Sequence, residues 1–287
     1  MANANTRAMK REGHQPDAAA AAWNSIAEGY DRTNTVTQMW LANEGLRRVG
    51  LGANMKFLDV AAGSGALSIP AARLGAEVVA IDQSPMMLEL LARRAHQEGH
   101  RIDTRIMDGQ SLEFEDNRFD CAGSQFGVML FPDMPQGISE MARVTMQGGR
   151  VLMTVYGDPH ELEFLDVFVH AIQAVRPTFA GPPMDPPPLP FQLRDPERLR
   201  NELTACGLSD IKVETLIEST EFRSANALWE WIVFSNPIVE EVLGSLRLTA
   251  GEKDEIQRAL DRLFRERADG SGTAKLTNAI NIGVGTK

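Results

Sequence analysis

The sequence predicts an α/β fold, built on a doubly wound, mostly parallel seven-stranded sheet with N-terminal helices and helical cap insertions. Two observations support this prediction. Short apolar runs alternate with helical segments over about a hundred residues from position 54, which is the pattern of βαβ units. In addition, the small residues "AAGSG" at 61–65 follow the first apolar run at the point where a strand would pass into a helix.

The elements follow in order along the chain. Asp17 is predicted to cap a helix through "AAAAAWNSIAEGY", and "VTQMWLANEGLRRVG" forms a second helix that ends at Gly50. Seven apolar runs are predicted as strands, at 55–62, 76–83, 102–109, 119–128, 149–157, 209–219 and 273–285. Helical patterns lie at 65–75, 84–99 (with Ser84 as the cap and Pro85 in the first turn), 134–149, 161–175, 195–207, 224–235 and within 239–268.

These elements divide the chain into three parts. Residues 1–53 form an N-terminal helical segment, residues 54–158 a cofactor-binding core, and residues 159–287 the rest of the sheet with helical lid or cap insertions at about 159–194 and 220–270. The proline-rich "GPPMDPPPLPF" is interpreted as a loop over a pocket rather than a recognition segment for a partner.

The composition excludes several classes of function. The 287 residues carry a net charge of −10 without a basic groove, which argues against nucleic-acid binding. Cys121 and Cys206 are far apart and provide neither a disulfide framework nor a metal site. Because we find no apolar signal sequence and no membrane-length apolar run, we expect a cytoplasmic protein without a membrane span.

Three acidic residues point to the ligand. Asp59, Asp82 and Asp108 lie at or near the ligand ends of three successive predicted strands. The small-residue turn does not complete the dinucleotide fingerprint G-x-G-x-x-G, because Ser68 occupies the position of the third glycine. Three carboxylates suit a ligand with a ribose, an adenine amino group and a positively charged end, and S-adenosylmethionine has all three.

The same residues resemble a known family. "LDVAAGSG" resembles the first motif of class I S-adenosylmethionine-dependent methyltransferases, with Asp59, Gly63 and Gly65 matching and Ala61 in place of the first glycine. "VVAIDQSPMMLELLARRA", "DGQSLEFEDNRFD" and "SQFGVMLFPD" resemble the later motifs in order. The likeness covers roughly residues 20–157 and is closest to ubiquinone/menaquinone-biosynthesis-like small-molecule enzymes (methyltransferase type 11), which implies a Rossmann-like fold.

The resemblance implies a set of cofactor-binding residues. Asp82 would hold the ribose hydroxyls, Asp108 would accept from the adenine amino group, and Tyr30 and Gln125 would lie at the amino-acid end. The complete implied set is Tyr30, Asp59, Ala61, Gly63, Gly65, Asp82, Gln83, Met87, Asp108, Gly109, Gln110 and Gln125. Simple helix packing is an alternative interpretation of Tyr30, and capping of the turn is an alternative for Asp59.

Methyl transfer needs in-line positioning more than it needs a dedicated base. The candidate catalytic residues are His160 and Tyr156, which follow the fifth strand, although a histidine at a strand end is more often structural. The predicted acceptor pocket is apolar and comprises Phe126, Met129, Phe131, Phe164, His170, Phe191 and Trp231.

The expected function is therefore O- or C-methylation of a small, largely apolar metabolite, with S-adenosylhomocysteine as the second product and no bound metal. Two alternatives stay open at this point. One is an NAD(P)-dependent oxidoreductase on the same sheet. The other is a non-catalytic, methyltransferase-like binding protein whose cap serves a protein partner. The chain is expected to be a monomer or a homodimer.

Overall fold

The computed structural model describes residues 16–182 and 184–287, with side chains from residue 18 onward. Its seven strands form one sheet in the order β3-β2-β1-β4-β5-β7-β6. The strands are β1 Lys56–Val60, β2 Glu77–Asp82, β3 Ile102–Ile106, β4 Phe119–Gln125, β5 Thr145–Tyr156, β6 Ser209–Phe222 and β7 Ala274–Thr286. The first five strands are mutually parallel and β7 runs antiparallel between β5 and β6. The predicted doubly wound, mostly parallel seven-stranded sheet is confirmed.

Ten α-helices flank this sheet in the described part of the chain. They are α1 Pro16–Tyr30, α2 Val36–Val49, α3 Ser68–Arg73, α4 Pro85–Gln97, α5 Met134–Val144, α6 Glu163–Gln173, α7 Pro196–Ala205, α8 Ala225–Val233, α9 Pro237–Ser245 and α10 Ala250–Arg267. A π-helical turn, Asp31–Thr35, joins α1 to α2. The part of the predicted N-terminal segment before residue 16 lies outside the described residues.

Local sequence signals set most helix ends. Gly50 ends α2 in the left-handed conformation at φ 66°, which a glycine adopts without a steric penalty. The Ser84 side chain accepts from the Met87 amide at the start of α4, with Pro85 in the first turn as expected. Thr249 and Glu252 form a capping box at the start of α10.

Two predicted boundaries are wrong. The helix predicted over 134–149 ends at Val144, because Thr145 pairs with Phe119 and begins β5. The helix predicted over 65–75 begins only at Ser68, since Gly63 and Gly65 both have positive φ. The helices predicted within 239–268 are α9 and α10, separated where Thr249 caps the second.

The two largest apolar clusters pack around the sheet. The larger surrounds β1, β4 and β5, and the smaller packs helices α6, α8 and α10 against the ends of β6 and β7. The switch in strand order falls between β1 and β4, so the sheet opens a crevice at their carboxyl ends. Across the described ranges, no helix is long and apolar enough to cross a membrane.

Candidate functional site

A cleft of about 780 Å³, measured out to its open mouth, lies at the carboxyl ends of β1, β2 and β4. Its walls come from α1, the turn after β1, the end of β2 and the segments after β3 and β4. The lining residues are Ala19, Trp23, Tyr30, Ala61, Gly63, Asp82, Gln83, Met87, Met107, Gly109, Gln110, Gln125, Phe126, Gly127, Leu130, Phe131 and Pro132. Nine of the predicted cofactor residues are in this set: Tyr30, Ala61, Gly63, Asp82, Gln83, Met87, Gly109, Gln110 and Gln125.

Asp82 is the one carboxylate of the predicted set that lines the cleft. Its Oδ2 accepts from the Gly63 amide at 2.9 Å and its Oδ1 accepts from the Ser84 amide at 2.8 Å. Burial raises the pKa of Asp82, while these amides oppose the shift by stabilising the charged form. Each oxygen keeps a further lone pair, so the carboxylate can still accept from two ligand hydroxyls.

Asp59 is buried beneath the turn and does not line the cleft. Its Oδ2 accepts from the Ser68 hydroxyl at 2.6 Å, whereas its Oδ1 has no hydrogen-bond partner among the described residues. Burial raises the pKa of Asp59 to about 7, and the nearby Asp82 adds to the shift. Asp59 therefore fastens the turn to α3 through Ser68, the residue that replaces the third glycine of the dinucleotide fingerprint.

The floor of the cleft depends on close backbone packing. Ala61 and Phe126 both have positive φ, at 57° and 58°, which is uncommon for residues with a side chain. A Cβ on Gly127 would lie 2.5 Å from the Ala61 Cβ, and a Cβ on Gly109 would lie 2.6 Å from the Phe131 ring. These contacts bring the turns after β1, β3 and β4 together around the cleft.

The end of the cleft nearest α2 is polar. The Tyr30 hydroxyl donates to Gln38 Oε1 at 3.0 Å, and Gln125 Nε2 donates to the Gln38 carbonyl at 3.2 Å. Gln125 is buried, and its Oε1 has no hydrogen-bond partner within the described ranges. Burial is the main cause that raises the pKa of Tyr30, so its phenol stays neutral and donates.

The residues fit the cofactor that the resemblance implies. The Asp82 carboxylate can take the ribose hydroxyls, and the side chains of Met87, Met107 and Phe131 offer an apolar slot for the base. At the other end, the unpartnered Gln125 Oε1 is an acceptor for an ammonium group.

Besides Asp59, two further predicted cofactor residues do not line the cleft. The Asp108 carboxylate accepts from the Gln110 amide at 2.9 Å and from the Gln110 side chain, so it shapes the turn that presents Gln110. Gly65 has φ 100° and faces Leu91 and Ile69, which explains the glycine by packing and conformation.

Only two of the predicted acceptor residues line the cleft. Phe126 and Phe131 line the cleft, and Met129 is buried in the larger core. Tyr156 stacks on Phe126 with ring centroids 4.7 Å apart. Behind it lie Phe164 and Phe191 at 5.5 and 6.1 Å from the Tyr156 ring, and Trp231 contacts Phe164 at 5.7 Å. We call Phe126, Tyr156, Phe164, Phe191 and Trp231 the aromatic cluster.

The structure does not bring the two predicted histidines to the cleft. His160 is exposed on a 3-10 turn, Pro159–Glu161, where its amide donates to Asp158. The His170 ring is also exposed, on α6, 3.0 Å from the Asp166 carboxylate. Tyr156 is closer to the cleft, and burial raises the pKa of its phenol, which therefore stays neutral.

Sequence reasoning missed several lining residues, namely Ala19, Trp23, Met107, Gly127, Leu130 and Pro132. Trp23 lies seven positions before Tyr30 on α1, and the two rings meet edge to face at 5.9 Å. That spacing places both on one helix face and could have identified Trp23.

Comparisons with a family model and with curated proteins support a methyltransferase. Residues 58–153 match the family model described as "Methyltransferase domain". An uncharacterized protein of Mycobacterium tuberculosis is 40% identical over 102 residues, which span 36% of this chain and 37% of that protein. The demethylmenaquinone methyltransferase of Renibacterium salmoninarum is 33% identical over 171 residues, 58% of this chain and 70% of that enzyme. The chain thus spans well under half the length of the first of these relatives.

A solved structure shows the same fold. Phosphoethanolamine N-methyltransferase 2 of Haemonchus contortus, crystallised with phosphomonomethylethanolamine and S-adenosylhomocysteine, superimposes with a TM-score of 0.52 at 20% identity. The match covers 91% of this chain and 60% of that one.

Proposed function

The chain belongs to the class I S-adenosylmethionine-dependent methyltransferases of the menaquinone-biosynthesis-like type, and from that membership we propose that it methylates a small, largely apolar metabolite at oxygen or carbon. The observation that carries the proposal is the Asp82 carboxylate. It lines the cleft at the switch point of the sheet, held by two backbone amides, with lone pairs left for ribose hydroxyls.

The bound cofactor supplies an activated methyl group on a sulfonium sulfur. The residues of this chain bind and orient it: Asp82 at the ribose, Gln83 and Met87 near the adenosine, and Tyr30 with Gln125 at the amino-acid end. Phe126 and Phe131 cover apolar surface of the cleft and help to exclude water from the transfer. In-line positioning in a dry cleft can supply a large share of the rate enhancement.

The aromatic cluster supports an aromatic acceptor. It lies directly behind Phe126, where the cap helix α8 contributes Trp231. The Renibacterium salmoninarum relative is a demethylmenaquinone methyltransferase. The aromatic ring of an acceptor of that kind would pack on the aromatic side chains of this cluster. A small-molecule acceptor, a cytoplasmic location and a monomer or homodimer are part of the same proposal.

The proposal is tested by turnover with S-adenosylmethionine carrying a labelled methyl group. Reduced 1,4-naphthoquinone and related hydroxylated arenes serve as acceptors, and mass spectrometry reports which atom gains the methyl group. Label in an organic product is the expected result. If cofactor binds but no acceptor on a broad panel is methylated, the binding-protein alternative replaces this function.

The oxidoreductase alternative is tested on the same sample. NADH bound in the cleft would accept excitation energy from nearby tryptophans by fluorescence energy transfer, and Trp23 lines that cleft. We expect no such transfer with NADH or NADPH. Saturable transfer at micromolar cofactor would favour the oxidoreductase.

A further inference from the structure

A row of buried polar side chains crosses the sheet beside the aromatic cluster. Gln125, Thr154, Glu218 and Asn278 form this polar row, with Glu218 only 4% and Asn278 only 1% exposed. Within the described ranges, Gln125 Oε1, Thr154 Oγ1 and Glu218 Oε1 are buried without a hydrogen-bond partner, and the side-chain amide of Asn278 is directed at the Glu218 carboxylate. Buried polar atoms are normally paired. Gln125 lines the cleft and its Oε1 is the acceptor for the ammonium group of the cofactor, so the unpaired oxygens of Thr154 and Glu218 are the ones that indicate a second ligand.

Strand pairing places the polar row on one face of the sheet. Gln125 pairs with Thr154 between β4 and β5, and Glu218 pairs with Asn278 between β6 and β7. Between them, Tyr156 of β5 pairs with Ile280, two residues from Asn278 on the same face. The row therefore runs from the cleft, at Gln125, to Glu218 past the Tyr156 ring.

The aromatic cluster covers this face. Tyr156 stacks on Phe126, which lines the cleft, while the Phe164 amide donates to Asn278 Oδ1. From the facing π-helical turn, Asn34 donates to the Trp231 carbonyl, and its own Oδ1 is buried and unpartnered within the described residues. An apolar shell rimmed by unpaired polar atoms suits an aromatic molecule that carries polar substituents.

We propose that the polar row is the acceptor subsite, that the acceptor is a hydroxyl-bearing aromatic molecule, and that Glu218 receives the hydroxyl proton as the methyl group is transferred. This inference rests on the proposed methyltransferase function. It also requires the Tyr156 ring to move off Phe126, because that stack separates the cleft from Glu218.

The step balances in atoms and electrons. A lone pair of the acceptor oxygen forms the new bond to the methyl carbon, and the electron pair of the broken S–C bond returns to sulfur. The hydroxyl proton passes to the Glu218 carboxylate. The products are an aryl methyl ether, a neutral thioether and a protonated Glu218, which returns its proton to solvent when the site opens.

The surroundings of Glu218 suit this role. In the described part of the chain, the groups that face it are the side-chain amide of Asn278, which opposes the rise of the Glu218 pKa by donating to the carboxylate, and the phenol of Tyr156; no Lys or Arg forms an ion pair with it. Burial raises the pKa of Glu218 to about 7, and its charge contributes to the raised pKa of Tyr156. A base whose pKa lies near the working pH is well matched to general-base catalysis.

The test compares Glu218→Gln with Glu221→Gln, a control on the same strand that is exposed and paired with Lys275 at 2.9 Å. Binding of 1-naphthol and of naphthalene is followed by tryptophan fluorescence with S-adenosylhomocysteine present. The wild type and Glu221→Gln should bind 1-naphthol about 10-fold more tightly than naphthalene, and Glu218→Gln should lose most of that preference.

Turnover of 1-naphthol adds a kinetic measurement. Glu218→Gln should reduce kcat by about 100-fold or more, with unchanged affinity for S-adenosylhomocysteine. The rise of kcat with pH through about 7 should disappear in Glu218→Gln but persist in Glu221→Gln, which alters an exposed carboxyl on the same strand. If Glu218→Gln fails to fold, Thr154→Val, which removes one unpaired hydroxyl, should weaken 1-naphthol binding several-fold.

The outcomes separate this inference from the proposed function. Wild-type protein that binds no S-adenosylhomocysteine contradicts the proposed function and the inference together. Cofactor binding with the wild-type naphthol preference, kcat and pH profile retained in Glu218→Gln contradicts the inference alone. A product methylated only at a ring carbon also contradicts it.

Discussion

At the scale of single residues, Asp82 connects the turn after β1 to the start of α4. Its two oxygens accept from Gly63 and Ser84, so the carboxylate is oriented before any ligand arrives. Charge-assisted hydrogen bonds to two ribose hydroxyls are each worth about 1.5–3 kcal/mol. Asp82→Ala should therefore weaken S-adenosylhomocysteine binding by one to three orders of magnitude in calorimetry.

Asp103→Ala is the matched control for that measurement. Asp103 is an exposed carboxylate on the neighbouring strand β3, paired with Arg105 at 2.6 Å. Its replacement should leave cofactor affinity unchanged. If Asp82→Ala also binds with wild-type affinity, Asp82 is not in the cofactor site and the assignment of the motif fails.

Asp59 makes stability depend on pH. Its pKa is about 7 in the folded protein and about 4 in the unfolded chain, so the folded state binds more protons between these values. The contribution of Asp59 is therefore fully present below pH 4 and is lost as the pH rises to about 7. Relative to Asp59→Asn, the wild type should lose up to about 4 kcal/mol of unfolding free energy between pH 4 and 8.

Urea denaturation of both proteins at pH 4 and pH 8 measures this difference. Ser68→Ala helps to locate its origin, because it removes the 2.6 Å hydrogen bond to Asp59. An equal stability difference between wild type and Asp59→Asn at both pH values would show that Asp59 has an ordinary pKa.

Ala61 carries backbone strain at the edge of the cleft. Its φ of 57° costs a residue with a side chain about 1–2 kcal/mol, and glycine avoids that cost but adds freedom to the unfolded chain. Ala61→Gly should thus change the unfolding free energy by less than about 1 kcal/mol, in the stabilising direction. Ala61→Val should clearly lower the free energy of unfolding. If Ala61→Gly also lowers it, the backbone of Ala61 is not strained.

At the scale of elements, Ser84 links α4 to α1. Its hydroxyl accepts from the Met87 amide and donates to Asn24 Oδ1 at 2.7 Å. Ser84→Ala should reduce the unfolding free energy by about 1–2 kcal/mol, the usual value of an N-cap. Thermal denaturation measures this loss, with Ser245→Ala, at an exposed helix end, as a near-neutral control.

The elements also show what local sequence can predict. The caps at Gly50 and Ser84 were predictable, because each depends on the chemistry of neighbouring residues. The early start of β5 at Thr145 could not be predicted from local sequence, since it depends on the pairing of Thr145 with Phe119, which is distant in the chain. The π-helical turn after Tyr30 was also missed, and it is held from elsewhere: Thr35 hydrogen-bonds Ser64, and Asn34 bonds the Trp231 carbonyl.

At the scale of the whole molecule, the order of strands decides which residues meet. The motifs after β1 and β2 predicted that Gly63 and Asp82 meet in the cleft, because neighbouring parallel strands present their carboxyl ends together. Glu218 was missed, since it lies on β6 within an ordinary alternating pattern. Its pairing with Asn278 depends on β7 entering antiparallel between β5 and β6, which no local signal encodes.

The most direct test of the central claim is a calorimetric titration of S-adenosylhomocysteine into the full chain. The cleft at the switch point, with Asp82 in its wall, predicts binding of one ligand per chain with a dissociation constant in the micromolar range. A rise in the unfolding temperature with ligand concentration should accompany it. No heat and no thermal shift at millimolar S-adenosylhomocysteine or S-adenosylmethionine would contradict the account.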